Sequence, residues 1–290
     1  MKQQLLRLLR IVARPFLGRG LWRVPVLRSI ASWYKRSYHP EYVSIEGVRF
    51  YLNYNDGWFS AYVAVHGYWE KMETEAIRAH VRPGWRVLDI GAHIGYYTII
   101  LSNLVGETGR VTAFEPAPGS YALLCKNTQD LPHRNVELVQ RAVWRESGEL
   151  QLHINRDDTL DHSIVVARDR AATVTIQAVS IDDFMGDATF DCVKMDIQGA
   201  EGHALQGMAR TLKRHRPEII VTEFWPSALD RAGTPAIAFF DQLLALGYDI
   251  HWIDEERRTI KPTTWEILQE AFRGKDWKFF NLLCLQRAPD

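Results

Sequence analysis

The residues of this chain best placed to do chemistry are acids and glycines at the ends of strand-like runs. The stretch VLDIGAHIGYYTII, residues 87–100, joins an apolar run to a helix-like run through a small-residue turn. In it Gly91 and Gly95 flank Ala92-His93-Ile94, and Asp89 stands just ahead. Small residues let a backbone approach a ligand closely. A dinucleotide loop reads GxGxxG, whereas the spacing here is GxxxG, and an Asp facing a pyrophosphate would be repulsive. The turn therefore points to a ligand carrying a cationic or amine group.

Glu115 lies 26 residues after Asp89, at the tip of the strand-like VTAFEP. An acid at that place is the expected partner of ribose hydroxyls. Adenosine joined to a positive group in place of pyrophosphate describes S-adenosylmethionine, with its ribose on Glu115 and its charged tail near Asp89. Taken singly, Asp89 reads as a helix N-terminal anion and Glu115 as a turn residue before Pro116. Their order and spacing favour the ligand.

The second informative stretch is FDCVKMDIQGAEGHALQG, residues 190–207. Period-two alternation puts Lys194 and Asp196 on one face of a strand. A Lys in a buried strand is costly unless paired with an acid. Asp196 falls at the strand's carboxyl end, Glu201 in the first turn of the following helix, and Glu223 at the end of the next strand, EIIVTEF. If the two strands are neighbours, these four residues form one polar cluster. The acids would also suit a hard divalent cation, but Lys194 supplies the counter-charge, so no metal is expected.

Positioning these residues requires a sheet. The strands expected are 85–90, 110–115, 136–143 (which includes Ala142, a cofactor-side candidate), 190–197 and 217–224. The helices are 95–105, 118–129, 200–214 and 235–246, the last with Thr234 as N-cap and Gly247 beyond its end. This alternation argues a parallel sheet covered on both faces. Residues 42–54 read as a hairpin turning at Glu46-Gly47, and 70–82 as a helix. Two further strands, 248–253 and 279–286, close the chain. An insertion, 149–181, holds two strands around a polar tract with His162 and Ser163, a candidate substrate-facing element. His203 and His215 read as surface residues. The expected organisation is a basic arm over 1–40, a hairpin and lead-in over 41–69, and an α/β domain over 70–290.

Net charge is zero, but residues 1–40 carry nine Lys or Arg and no acid, leaving −9 on the remainder. Leu5, Leu8, Leu9 and Val12 fall on one helical face of this arm, with Arg7, Arg10 and Arg14 opposite. Arginines interrupt every apolar run, which excludes a secretory or spanning segment. Residues 1–36 suit either peripheral membrane contact or docking on the chain's own domain. With basic groups clustered in the arm and the rest of the chain net acidic, nucleic acid is not an expected partner. The three cysteines, Cys125, Cys192 and Cys284, are widely spaced and suit a reducing, cytoplasmic setting.

The motifs DIGAHIGYYT, FEP, VKMDIQGAE and VTEF, in this order and spacing over roughly residues 70–225, resemble the FkbM family of S-adenosylmethionine-dependent methyltransferases. The resemblance implies a class I methyltransferase (Rossmann-like) fold, with seven mostly parallel strands of which the last is antiparallel. It also implies O-methylation of a hydroxyl, often on a sugar or natural product. Members commonly have Asn where this chain has His93. Carried onto this sequence, the cofactor-side residues are Asp89, Gly91, Ala92, His93, Gly95, Glu115, Ala142 and Asp196. Asp196 is expected as base or hydroxyl acceptor, Glu201 as orienting or proton-sharing group, and Lys194 as the charge that holds the acids. His162 is a further base candidate, and Trp58, Trp69 and Trp225 are candidate walls for the acceptor. A nucleotide-dependent oxidoreductase or epimerase shares such a sheet but needs a phosphate loop. A non-catalytic, membrane-recruited protein with a vestigial pocket would explain the arm.

Overall fold

The computed structural model describes residues 40–54, 56, 59–154 and 172–287. The basic arm, Trp58, His162 and Ser163 lie outside these residues.

The first elements are a hairpin, β1 (Tyr42–Ile45) and β2 (Val48–Tyr51), and two helices, α1 (Phe59–His66) and α2 (Lys71–His80). Glu46 (φ 49°) and Gly47 (φ 83°) both take positive φ, the two-residue turn whose twist matches paired strands. Next come β3 (Arg86–Ile90), α3 (Tyr96–Val105), β4 (Arg110–Phe114), α4 (Pro118–Thr128) and β5 (Val136–Val139). A small sheet follows, made of β6 (Ala142–Val143), β7 (Gly148–Ile154) and β8 (Ala172–Val179), and then α5 (Ile181–Met185). The main alternation resumes with β9 (Cys192–Met195), α6 (Glu201–Gly207), α7 (Ala209–Arg214), β10 (Ile219–Phe224), α8 (Pro226–Arg231) and α9 (Ala236–Ala245). The last elements are β11 (Tyr248–Asp254), β12 (Thr259–Pro262), α10 (Trp265–Phe272) and β13 (Phe280–Gln286).

The main sheet runs β12-β11-β13-β10-β9-β3-β4-β5. Strands β5, β4, β3, β9 and β10 are mutually parallel, and β13 enters antiparallel between β10 and β11. That is the expected seven-stranded class I arrangement. Strand β12 extends it by one antiparallel edge strand that the sequence reading did not anticipate. The central strands are continuous apolar runs because helices cover both faces. Leu88, Ile90, Val193 and Met195 pack on one face, and Val87, Cys192 and Val221 pack on the other with Ile77 and Ile99. Lys194 and its register partner Asp89 lie on the second face.

Several expectations change. The run 136–143 is two strands: after Val139 the chain turns, Arg141 is exposed, and Ala142–Val143 pairs with β8 in the small sheet. The helix expected over 200–214 breaks at Met208 (φ −119°, ψ 13°). Thr234 does not cap α9; Pro235 holds the N-cap position, and Asp230 Oδ1 accepts the Ala236 N–H at 2.8 Å. His203 is buried rather than at the surface, stacked on Trp144 at 3.9 Å with a ring nitrogen 2.9 Å from the Ala232 carbonyl. His215 is partly buried at the end of α7. Helices α1, α5, α8 and α10 were unexpected. Among the described residues no helix is long and apolar enough to cross a membrane.

Buried Asn127 on α4 fastens the hairpin to the glycine turn. Its Oδ1 accepts the Tyr51 N–H at 2.7 Å, and its Nδ2 donates to the Tyr51 and Ile94 carbonyls at 3.1 and 2.7 Å. Asn127→Ala leaves those buried backbone groups unpaired, at a cost of about 2–4 kcal/mol. Thermal unfolding of this variant is expected to fall by roughly 5–15 °C. An unchanged midpoint would contradict the fastening role.

Candidate functional site

From β3 the chain builds outward to β4 and β5, then returns to place β9 and β10 on the other side of β3. Such a reversal opens a crevice beyond the strands' carboxyl ends. The cleft there is walled by Gly91 and His93 from the turn and by Glu115 and Pro116 beyond β4. Arg141, Ala142, Val143 and Leu152 come from the small sheet and the turn before it, and Asp196 and Gln198 follow β9. Its empty space, counted out into the open mouth, is about 720 Å³.

Gly91 has φ 85°, and a Cβ there would run into the Asp196 carbonyl oxygen. Only glycine lets the turn pass so close to the end of β9. Its N–H and that of buried Ala92 both donate to the Phe114 carbonyl, at 3.0 and 2.9 Å. Gly95 (φ 96°) begins α3 and leaves room for Leu124, whose Cδ1 would stand 2.8 Å from a Cβ. His93 also has positive φ, 50°. Asn, Asp and His are the side chains most often found in that conformation, which gives a backbone reason for Asn or His at this position. The His93 ring meets Phe59 edge-on at 5.4 Å, and the His93 backbone N–H donates to Glu115 Oε2 at 2.9 Å.

Glu115 is held in place, since its Oε1 also accepts the Ala117 N–H at 2.8 Å. Burial pushes its carboxyl up to about 7 against the pull of those two bonds. Each oxygen keeps a further lone pair for a ligand hydroxyl.

Beside the cleft lies a dense acid cluster around one cation. Lys194 Nζ is 3.1 Å from Asp196 Oδ2 and 3.8 Å from Glu73 Oε1, and 4.6 Å from the Tyr97 ring centre. Burial pushes Lys194 down, but Asp196, Glu73, Asp89 and Glu70 together hold it well above the ordinary lysine range. Burial drives Glu73, Asp89 and Glu223 the other way, above the carboxylate range. Gln198 (φ 57°) bridges the cluster, its Nε2 donating to Asp196 Oδ1 at 3.2 Å and Glu223 Oε1 at 3.4 Å.

Lys194, Asp196 and Glu223 therefore share the expected face, and Asp196 reaches the cleft. Asp89 lies beneath it, 1% exposed, accepting the Thr98 hydroxyl at 2.6 Å. Glu201 is fully buried and accepts the Ile197 N–H at 2.9 Å, so it shapes the loop between β9 and α6. Trp69 packs on Phe59 at 5.0 Å, whereas Trp225 donates its ring N–H to the Asp276 carbonyl at 2.8 Å. The sequence reading missed Glu70, Glu73, Tyr97 and Gln198. A signal existed for Glu73: it lies three and four residues before Ala76 and Ile77 on the buried stripe of α2, where an acid needs a partner.

Among the described residues no three acids, histidines or cysteines are arranged to hold a metal ion. Among the described residues, the buried oxygens Asp89 Oδ1, Glu201 Oε2 and Glu223 Oε2 find no hydrogen-bond partner. With one lysine among so many acids, the surroundings fit a cationic ligand.

Residues 89–250, more than half of the chain, match the model of the Methyltransferase FkbM domain. The chain belongs to this family. It carries an S-adenosylmethionine-dependent methyltransferase domain, and the site fits that cofactor: a fixed carboxylate able to accept from hydroxyls, a turn entered through a glycine, and acid surroundings for a sulfonium and an amine. The chain is 38% identical over 56 residues to the protein-L-isoaspartate O-methyltransferase of Methanococcus maripaludis, covering 19% of this chain and 26% of that protein. It is 30% identical over 80 residues to protein-L-isoaspartate O-methyltransferase 1 of Arabidopsis thaliana, covering 28% and 31%. The match thus spans about a quarter to a third of these relatives' length. Among solved structures, a SAM dependent methyltransferase from Aquifex aeolicus is similar at 15% identity and TM-score 0.41, over 74% of this chain and 89% of that one.

Raised carboxyls make stability depend on pH. Burial raises both Glu115 and Glu201 to about 7 in the fold, so the folded chain binds more protons than the unfolded one above the ordinary carboxyl range. Their contribution is complete at acidic pH and is lost as pH rises toward 7, by at most about 1.4 kcal/mol per pH unit for each group. Thermal midpoints should therefore fall between pH 5 and 7, and Glu201→Gln should flatten that slope. A midpoint that rises steadily across this range would contradict the account.

Proposed function

We propose that the protein transfers a methyl group from S-adenosylmethionine to a hydroxyl of a small molecule, most naturally a sugar, glycan or natural product. The observation that carries this reading is Asp196, partly exposed in the cleft and paired at 3.1 Å with the buried ammonium of Lys194. Glu115 would hold the ribose hydroxyls, Ala142, Val143 and Leu152 would flank the adenine, and Gly91 would admit the chain of the cofactor. Asp89, buried under the turn, acts on the cationic tail through its field rather than by contact.

When bound, the cofactor supplies an electrophilic methyl on a positively charged sulfur. The protein's part is alignment and proton removal. Asp196 accepts the hydrogen bond of the acceptor hydroxyl and orients it, with Lys194 and Gln198 fixing the carboxylate. Glu201 keeps Asp196 in place by holding the Ile197 N–H just beyond it. A water-poor setting strengthens each of these charge interactions.

Asp196→Asn is expected to lower turnover by about 10²–10⁴-fold while leaving cofactor affinity within tenfold. Glu115→Ala should instead weaken S-adenosylmethionine binding by about 10–100-fold, as measured by calorimetry. The assay for the reaction is incubation with methyl-labelled S-adenosylmethionine and separated glycan, lipid, protein and RNA fractions of a cell extract. Label in the glycan or small-molecule fraction supports the reading. Label confined to RNA or protein, or wild-type turnover by Asp196→Asn, would overturn it.

A further inference from the structure

Four strand tips border the cleft in sheet order, and their charges are not evenly spread. Asp196 follows β9, His93 follows β3, Glu115 follows β4 and Arg141 follows β5. Asp196 and Arg141 are thus three strand spacings apart, about 14 Å at the ordinary interval. Acids gather at the Asp196 end, where Glu73 and Asp89 also face Lys194. Arg141 stands at the other end, the single Lys or Arg among the described residues that line the cleft.

No contact within the fold accounts for that position. Arg141 is exposed, and among the described residues its guanidinium has neither a hydrogen-bond nor an ion-pair partner. Neighbouring Glu115 does not pair with it, since the carboxylate oxygens accept the His93 and Ala117 N–H groups. The backbone beneath is nonetheless fixed. The Val139 carbonyl accepts the Glu115 N–H at 3.1 Å and the Arg141 N–H at 2.9 Å, so the two residues rise side by side from one oxygen. A ligand resting on Glu115 is therefore within reach of the long Arg141 side chain. The wall that continues from Arg141 is apolar, with Ala142, Val143 and Leu152 each 3% exposed or less.

A cation in this cleft repels a cationic ligand unless it meets a part of that ligand without positive charge. In S-adenosylmethionine the sulfonium and the ammonium lie toward one end, and the flat, electron-rich adenine is the other. We propose that Arg141 lays its guanidinium over adenine, holding the ring against the apolar wall of Val143 and Leu152, and so fixes which way round the cofactor lies. The inference rests on the placement of the ribose on Glu115 given above. A guanidinium is planar and stacks on aromatic faces, which the compact ammonium of lysine does not. The attraction of a cation to the face of a ring grows as water is removed. With acids at one end and Arg141 at the other, the reversed pose would set like charges together.

The test measures binding to the full chain by calorimetry, with S-adenosylmethionine, S-adenosylhomocysteine and methylthioadenosine as probes. Arg141→Ala should weaken all three alike, by about 5–30-fold, because they share the adenosine part. Arg141→Tyr, a flat ring without charge, should recover part of the loss, and Arg141→Lys should recover little. Unchanged affinities in Arg141→Ala overturn the proposal. So does tighter S-adenosylmethionine binding beside unchanged S-adenosylhomocysteine binding, the mark of plain charge repulsion, and so does full recovery by Arg141→Lys. Glu115→Ala, measured alongside, separates the proposal from the placement it rests on. If Glu115→Ala weakens the probes and Arg141→Ala does not, the ribose placement stands and the role of Arg141 falls. If Arg141→Ala weakens them and Glu115→Ala does not, the adenine contact stands and the ribose placement falls.

Discussion

The site is organised by one buried ammonium in a pool of carboxyls. Lys194 sits in the middle of a parallel strand, 3% exposed, where an unpaired charge would be prohibitive. It is stable there because β3 brings Asp89 alongside, α2 lowers Glu73 onto it, and the end of β9 returns Asp196 to it. The acids outnumber the lysine, so burial holds several of them nearer neutrality than free carboxyls. A cleft bordered by such a cluster favours a cation, and the cofactor's sulfonium and amine supply one.

This constraint explains elements that otherwise look incidental. The edge hairpin of β11 and β12 brings Glu255, whose Oε1 accepts the Glu73 N–H at 2.9 Å and so steadies the start of α2. Helix α2 in turn sets Glu73 against Lys194. The β1–β2 hairpin, through Asn127, steadies the glycine turn on the other side. The cleft at the tip of β3 thereby lies between Glu115 and the small sheet on one flank and Asp196 and Gln198 on the other.

Much of this was legible in the sequence because it depends on short-range rules. The alternating strands, the shared face of Lys194 and Asp196 and Glu115 at a strand tip follow from periodicity and motif order, while the antiparallel last strand is what the family resemblance implies. What escaped depends on residues far apart in the chain. Nothing local says that Glu70 and Glu73 meet a lysine more than a hundred positions later, or that Glu255 caps their helix. Gln198 gains its role from a left-handed backbone that residue type alone does not announce. His203 was read as a surface residue, yet Gly202 and Gly207 let neighbouring chain close over α6. The motif positions Asp89 and Glu201 were found by pattern, but only the packing shows them buried beneath the cleft rather than lining it.

The central claim is that the cluster holds more protons than isolated carboxyls would until a cationic ligand arrives. Calorimetry of S-adenosylmethionine binding in buffers of differing ionisation enthalpy measures it directly. Near pH 6.5 binding is predicted to release about one proton, as carboxyls raised by burial ionise beside the new positive charge. Binding without proton exchange, or with proton uptake, would contradict it.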